Sequence, residues 1–130
     1  MKHILLVGLG GMLGAISRYK LGGLILHQTE NWRFPLGTFV INCLGCLAIG
    51  LAAGILEERQ VLEPQFSIFF ITGFLGSFTT FSAFSFETFY LIKQGDLLNA
   101  ALSISLNVAV CLLAVWLGIK AGRIYTPEFL

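Results

Sequence analysis

Seven consecutive residues, Gly76-Ser77-Phe78-Thr79-Thr80-Phe81-Ser82, put a glycine and four hydroxyls into the middle of a long apolar stretch. Hydrocarbon cannot hydrogen-bond a loosened backbone, so such a break persists only where protein or a water-filled path satisfies it. Interrupted membrane helices expose carbonyl and N–H groups that hold ions. The chemistry these residues suggest is therefore ion handling, with backbone dipoles among the ligands.

Polar side chains inside the other apolar stretches extend this reading. Thr38, Asn42, Cys46, Gly50 and Gly54 recur every four residues, which places them along one helix face. The Asn42 amide carries two N–H donors and is costly to bury unpaired. It fits either a helix–helix hydrogen bond or a donor aimed at a passing anion. Ser103, Asn107 and Cys111 repeat the four-residue step. Ser103, Ser105 and Asn107 fit bonds to the preceding backbone turn, or a second polar track facing the first.

Phe81, Phe84 and Thr88 recur at helical spacing, with Glu87 three residues after Phe84. The rings fit plain apolar surface. Alternatively, their positive edges face the polar track. Ring edges attract a small anion without the trap a full cationic charge would set, and conduction needs binding weak enough to permit exit. Glu87 is the one carboxylate inside a candidate span. It reads either as a functional intramembrane acid or as a wet helix-end charge.

Other chemistries find little support. Cys43 and Cys46 form a C-x-x-C deep in an apolar stretch, with no second such pair and no neighbouring histidine. They read as small packing residues, as does Cys111. His3 and His27 read as interfacial. No nucleophile–base arrangement, phosphate-cradling loop or metal-ligand set is visible, so the expectation is a protein that is not an enzyme.

The elements that must position these residues follow from composition and length. The 130 residues are 56% hydrophobic and 12% charged, about half the charge of a soluble chain. They fit a single membrane domain, 1–130. A net charge of +1 gives no field for nucleic acid. Four stretches can cross a hydrocarbon core of about 30 Å: about Ile4–Leu26, Pro35–Leu56, Phe66–Ile92 and Leu97–Ile119. Connectors are expected at about 28–34, 57–65 and 93–96. Lys2 precedes an apolar run at the start of the first stretch, but Arg18, Tyr19 and Lys20 close that run in place of a small-residue cleavage site. It reads as a retained helix whose Arg18 and Lys20 snorkel or line a wet vestibule.

With four spans both termini share one side. That side carries Lys2, Arg59, Lys120 and Arg123; the other carries Arg18, Lys20, Arg33 and Lys93. Orientation normally follows an excess of Lys and Arg on one face, and an even tally leaves two readings open: insertion both ways round, or an orientation set by subtler cues. Four helices leave little room for a private aqueous pore, which favours a path at a subunit interface. Gly10/Gly14 and Gly50/Gly54 permit close helix approach, between subunits or within one.

Three strings in order resemble the Fluc (CrcB) fluoride channels: GGMLGAISRY at 10–19, PLGTFVINCLGC at 35–46 and GSFTTFSAF at 76–84. The match spans nearly the whole chain. The resemblance implies an all-α membrane protein with four transmembrane helices and a broken third helix. It implies an antiparallel, dual-topology homodimer in the lipid bilayer, with two fluoride pathways. By the same match, Phe81 and Phe84 form an aromatic box, and Asn42 donates a hydrogen bond in the pore. Carbonyls of Gly76 and Thr79 from both subunits hold a central structural Na⁺. Ser82, Thr80, Thr38 and Glu87 are nearby pore groups, Ser103 and Asn107 continue the track, and Arg18 sits at the vestibule. The chain departs from the family pattern at Ala83, where relatives often carry a hydroxyl, and in the fourth span at Asn107 and Cys111.

The expected function is passive fluoride export across the cell membrane, a bacterial inner membrane by the resemblance. The rival reading is a small multidrug-type four-helix antiporter, which is expected to need a carboxylate in the first span. That span holds Arg18 and Lys20 and no acid.

Overall fold

The computed structural model describes residues 1–59 and 64–124, with only the backbone of 57–59. Among the described residues the regular structure is entirely helical. Helix α1 is Lys2–Gln28 and α2 is Leu36–Arg59. The third membrane segment, Pro64–Lys93, is composite. It runs through α3 (Pro64–Ser67), a π-helix (Ile68–Leu75), α4 (Gly76–Phe78) and α5 (Phe81–Lys93). Helix α6, Leu97–Ile124, closes the bundle. Four segments are thus long and apolar enough to cross a membrane, and many of their large apolar side chains, Leu5, Leu98 and Leu112 among them, point outward. That is the pattern of a surface solvated by lipid rather than by water.

The four expected spans are present with longer ends: the first begins at Lys2, the third at Pro64, and the fourth continues to Ile124. The second helix runs through the residues expected to open the 57–65 connector, of which 60–63 lie outside the described residues. The break is narrower than the seven-residue string. Only Thr79 (φ −80°, ψ 156°) and Thr80 (φ −151°, ψ 115°) are extended. Before them lies the π-helix, whose i→i+5 bonding has no composition signature of its own.

Local chemistry explains where the chain restarts. Thr80 caps α5, its hydroxyl accepting a hydrogen bond from the Ala83 N–H at 3.1 Å. At the other end, Gly95 N–H donates to the Ile92 carbonyl (3.0 Å) and Asp96 N–H to that of Leu91 (2.9 Å). Gly95 has φ +78°, and this paired closure with a left-handed glycine ends α5 sharply. Asp96 then caps α6 by accepting from the Asn99 N–H at 3.3 Å.

Glycine contacts set the packing. A Cβ at Gly50 would overlap the Val115 carbonyl, and one at Gly54 the Ile119 carbonyl, so α2 and α6 meet backbone to backbone. Gly10 and Gly14 likewise abut the backbone of Phe69 and Phe74, joining α1 to the π-helix. Of the two readings of these pairs, packing within one chain is the one realised. They are consumed inside the chain and are not left for a subunit interface.

Candidate functional site

The centre of the molecule is the junction of Asn42 with the break. Asn42 lies on α2, 8% exposed. Its Oδ1 accepts from the Thr80 N–H at 2.9 Å, and its Nδ2 donates to the Thr80 carbonyl at 3.3 Å. One side chain thus satisfies both backbone groups that the lost helical pattern leaves behind, which is what a buried peptide requires. The remaining Asn42 N–H donates to Asn107 Oδ1 on α6 at 3.3 Å. Asn107 Nδ2 in turn donates to the Ser103 carbonyl at 3.0 Å. The helix–helix reading of Asn42 is therefore realised, with the break itself as principal partner.

The pairing diverts two helical bonds. In an unbroken helix the Thr80 N–H would pair with the Gly76 carbonyl, and the Ala83 N–H with that of Thr79. Here the first donor goes to Asn42 and the second to the Thr80 hydroxyl. Gly76 and Thr79, the two residues expected to offer carbonyls to a cation, are among those whose regular helical donors go elsewhere. Among the described residues, no cluster of three or more His, Cys, Asp or Glu side chains is placed to hold a metal.

Two cavities meet at this junction. A smaller one, about 330 Å³, is lined by Asn42, Gly76, Thr79, Phe81, Phe84 and Asn107, among others. A larger one, about 560 Å³, is lined by Arg18, Thr38 and Glu87. Thr80 lines both. The expected residues thus divide into an inner group around the break and an outer group around a cation. In the outer group Thr38 donates to Glu87 Oε1 at 2.9 Å. Arg18 Nε and Glu87 Oε2 are buried without a hydrogen-bond partner. Arg18 and Glu87 both line this space, and each keeps one buried polar atom with bonding capacity to spare.

The aromatic pair is asymmetric. The Phe81 and Phe84 ring centroids are 5.3 Å apart with planes at 54°. Phe84 is buried at 9% exposure, while Phe81 is 78% exposed on the outer surface of the chain. Ser82 is exposed, its hydroxyl 3.1 Å from that of Thr80. Ser103 lines neither cavity. It is fully buried and shares a 2.8 Å hydrogen bond with the Thr88 hydroxyl. Ser105 makes the local bond weighed for it, donating to the Ala101 carbonyl at 2.8 Å.

Sequence reasoning missed the Asn42–Asn107 pairing, the Thr88–Ser103 pairing and the capping role of Thr80. The last had a readable signal, a threonine opening an apolar helical run. The first two depended on which helices become neighbours.

Comparison with known proteins places the chain in a family. The CrcB-like protein, Camphor Resistance (CrcB), family matches residues 5–119. A protein of Methylobacillus flagellatus named fluoride-specific ion channel FluC is 42% identical over 120 residues, covering 92% of this chain and 94% of the relative. Proteins of the same name from Nitratidesulfovibrio vulgaris and Flavobacterium psychrophilum are each 44% identical. The matches cover 95% of this chain, and 99% and 98% of those relatives respectively.

Proposed function

The chain belongs to the CrcB-like family, and on that premise we propose that it is a passive fluoride channel, a multi-pass protein of the bacterial inner membrane. The observation that carries the reading is the broken third segment, held open by Asn42 between two cavities. A helix broken in hydrocarbon costs free energy, and a polar path beside it gives the break a use.

Fluoride is small and holds its water tightly, so a path must replace that water with N–H donors and ring edges. Asn42 has two N–H bonds of 3.3 Å, just beyond the usual range of about 2.7–3.2 Å, and exchanging one for fluoride forfeits little. Phe81 and Phe84 supply positive ring edges. The hydroxyls of Thr80 and Ser82 stand beside the break, and Thr38 and Glu87 line the way to Arg18. The Arg18 cation raises the local anion concentration at the vestibule. Asn107 and Ser103 serve behind Asn42, Asn107 accepting its N–H and Ser103 bracing the fourth helix.

The working unit is an antiparallel homodimer. The exposed Phe81 ring supports this, because a path edged by that ring needs a second surface to close it. A structural Na⁺ at the centre also requires two copies. Each chain offers the carbonyls of Gly76 and Thr79, and oxygen ligands in greater number suit a hard cation. The diverted donors at both positions support that fit. When bound there, Na⁺ would supply charge that holds the two breaks together, while the fluoride path runs past Asn42 and the rings.

Export needs no ATP. Neutral HF crosses the bilayer, dissociates inside and leaves fluoride trapped. The membrane potential, worth about 2.3 kcal/mol per charge per 100 mV, expels the anion through a selective leak. A small multidrug-type antiporter is the weaker reading, since α1 contains no carboxylate.

Purified protein in liposomes with a fluoride electrode tests the channel. Rapid fluoride efflux with little chloride efflux is expected, and absence of fluoride efflux from correctly inserted protein overturns the reading. Labelling of a Lys93→Cys variant in intact cells tests the assembly. Reaction from both sides is expected, and strictly one-sided labelling removes the antiparallel dimer.

A further inference from the structure

The fluoride path leaves one side-chain cluster unused. Cys43 on α2 and Cys111 on α6 face each other with their sulfurs 3.8 Å apart, and neither forms a disulfide. They lie on the same α2–α6 seam that Gly50 and Val115 close backbone to backbone. Cys46 and Cys111 line the smaller cavity and Cys43 does not, so small solutes in that space reach the pair through Cys111.

We propose that Cys43 and Cys111 form a two-sulfur binding site for a soft monovalent d¹⁰ cation of the Cu(I) class. Soft sulfur ligands select such ions over hard ones. The absence of a three-ligand group among the described residues argues against zinc, which asks for four ligands in a closed site. A cation content with two donors has no such requirement. Taking a metal–thiolate bond of about 2.3 Å, a linear S–M–S unit spans about 4.6 Å. The sulfurs stand a little closer than that, and rotation of two half-buried thiols supplies the difference.

Charge balance selects the monovalent ion. The S–H bond of one thiol breaks, and its electron pair forms the sulfur–metal bond. The proton leaves to water in the cavity. The second sulfur donates a lone pair while keeping its hydrogen. Nothing is oxidised or reduced, and the filled site is neutral, which a low-dielectric surrounding favours. A divalent ion would need a second proton to leave before the site became neutral.

The test uses Ag⁺, a redox-inert probe of the same class, added as nitrate in chloride-free buffer to the purified full chain after all three thiols are confirmed free. Native mass spectrometry is expected to show one Ag⁺ per chain. Proton release should match it one for one, and X-ray absorption should show a shell of two sulfurs. Cys43→Ser and Cys111→Ser should each lose the bound ion, while Cys46→Ser keeps it. Absence of binding by the wild-type chain overturns the proposal. So does retention in the Cys43 and Cys111 variants, loss in the Cys46 variant, or a three-sulfur shell. If a serine variant fails to fold, the sulfur count in the wild-type protein still decides. None of these readouts depends on fluoride transport, so the two readings stand or fall separately.

Discussion

The amide of Asn42 brackets the peptide groups of Thr80, taking its N–H at 2.9 Å and giving a hydrogen bond to its carbonyl at 3.3 Å. A side chain from one helix thereby replaces the backbone partners that another helix has lost. Substitution here acts on stability and, on the proposed path, is expected to act on transport as well.

Asn42→Ala strips both partners from Thr80 and one from Asn107. Leaving buried polar groups unpaired costs about 1–3 kcal/mol. Denaturant or thermal unfolding in detergent should show a loss of that order, and fluoride efflux should fall strongly. Wild-type efflux in this variant would remove Asn42 from the path.

Phe81→Ile should separate the two effects. The ring is 78% exposed on the single chain, so the folded subunit loses little packing. Efflux in liposomes is expected to slow strongly while size-exclusion chromatography still reports a dimer. An unchanged rate would count against an aromatic edge on the ion path.

Thr79→Gly addresses the cation. The proposed ligand is a carbonyl, which glycine retains. The side chain contributes a hydrogen bond from its hydroxyl to the Leu75 carbonyl, at 3.0 Å, and the packing of its methyl against Gly45. Dependence of flux on Na⁺ should change little, and its complete loss would contradict a backbone ligand.

Asp96 gives a pH dependence outside the membrane segments. The Asn99 side chain holds its carboxyl below the ordinary value of 3.8, helped by the Asn99 backbone amide and by Arg33. The ionised form is favoured by folding, so this cap contributes fully above that value and is lost as pH falls through the lower folded one. The gap in thermal midpoint between wild type and Asp96→Ala should be full at neutral pH. It should close below pH 3.8. A gap that persists in acid would show that the charge is not what matters.

Much of this was legible in the sequence. The spans follow from runs of apolar residues, and the break, at wider bounds than its extended core, from the polar string 76–82 among them. Helix phase placed Thr38, Asn42 and Gly50 on one face, and they do turn toward the chain's own interior partners, Glu87, Asn107 and Val115. What sequence left open was partner choice. Gly10 meeting Gly73, or Ser103 meeting Thr88, depends on which helices pair and at what rotation. Those are global properties that no local spacing encodes. The π-helix at Ile68–Leu75 was unreadable for a related reason, since one extra residue per turn leaves composition unchanged.

Thr80 borders both cavities, and that position makes the chain a doorway with a single threshold. If ions pass from one cavity to the other, the proposed path narrows most at that sill. On the proposed path, natural variation that tunes throughput should therefore be rarest at the lintel that Asn42 forms over that sill.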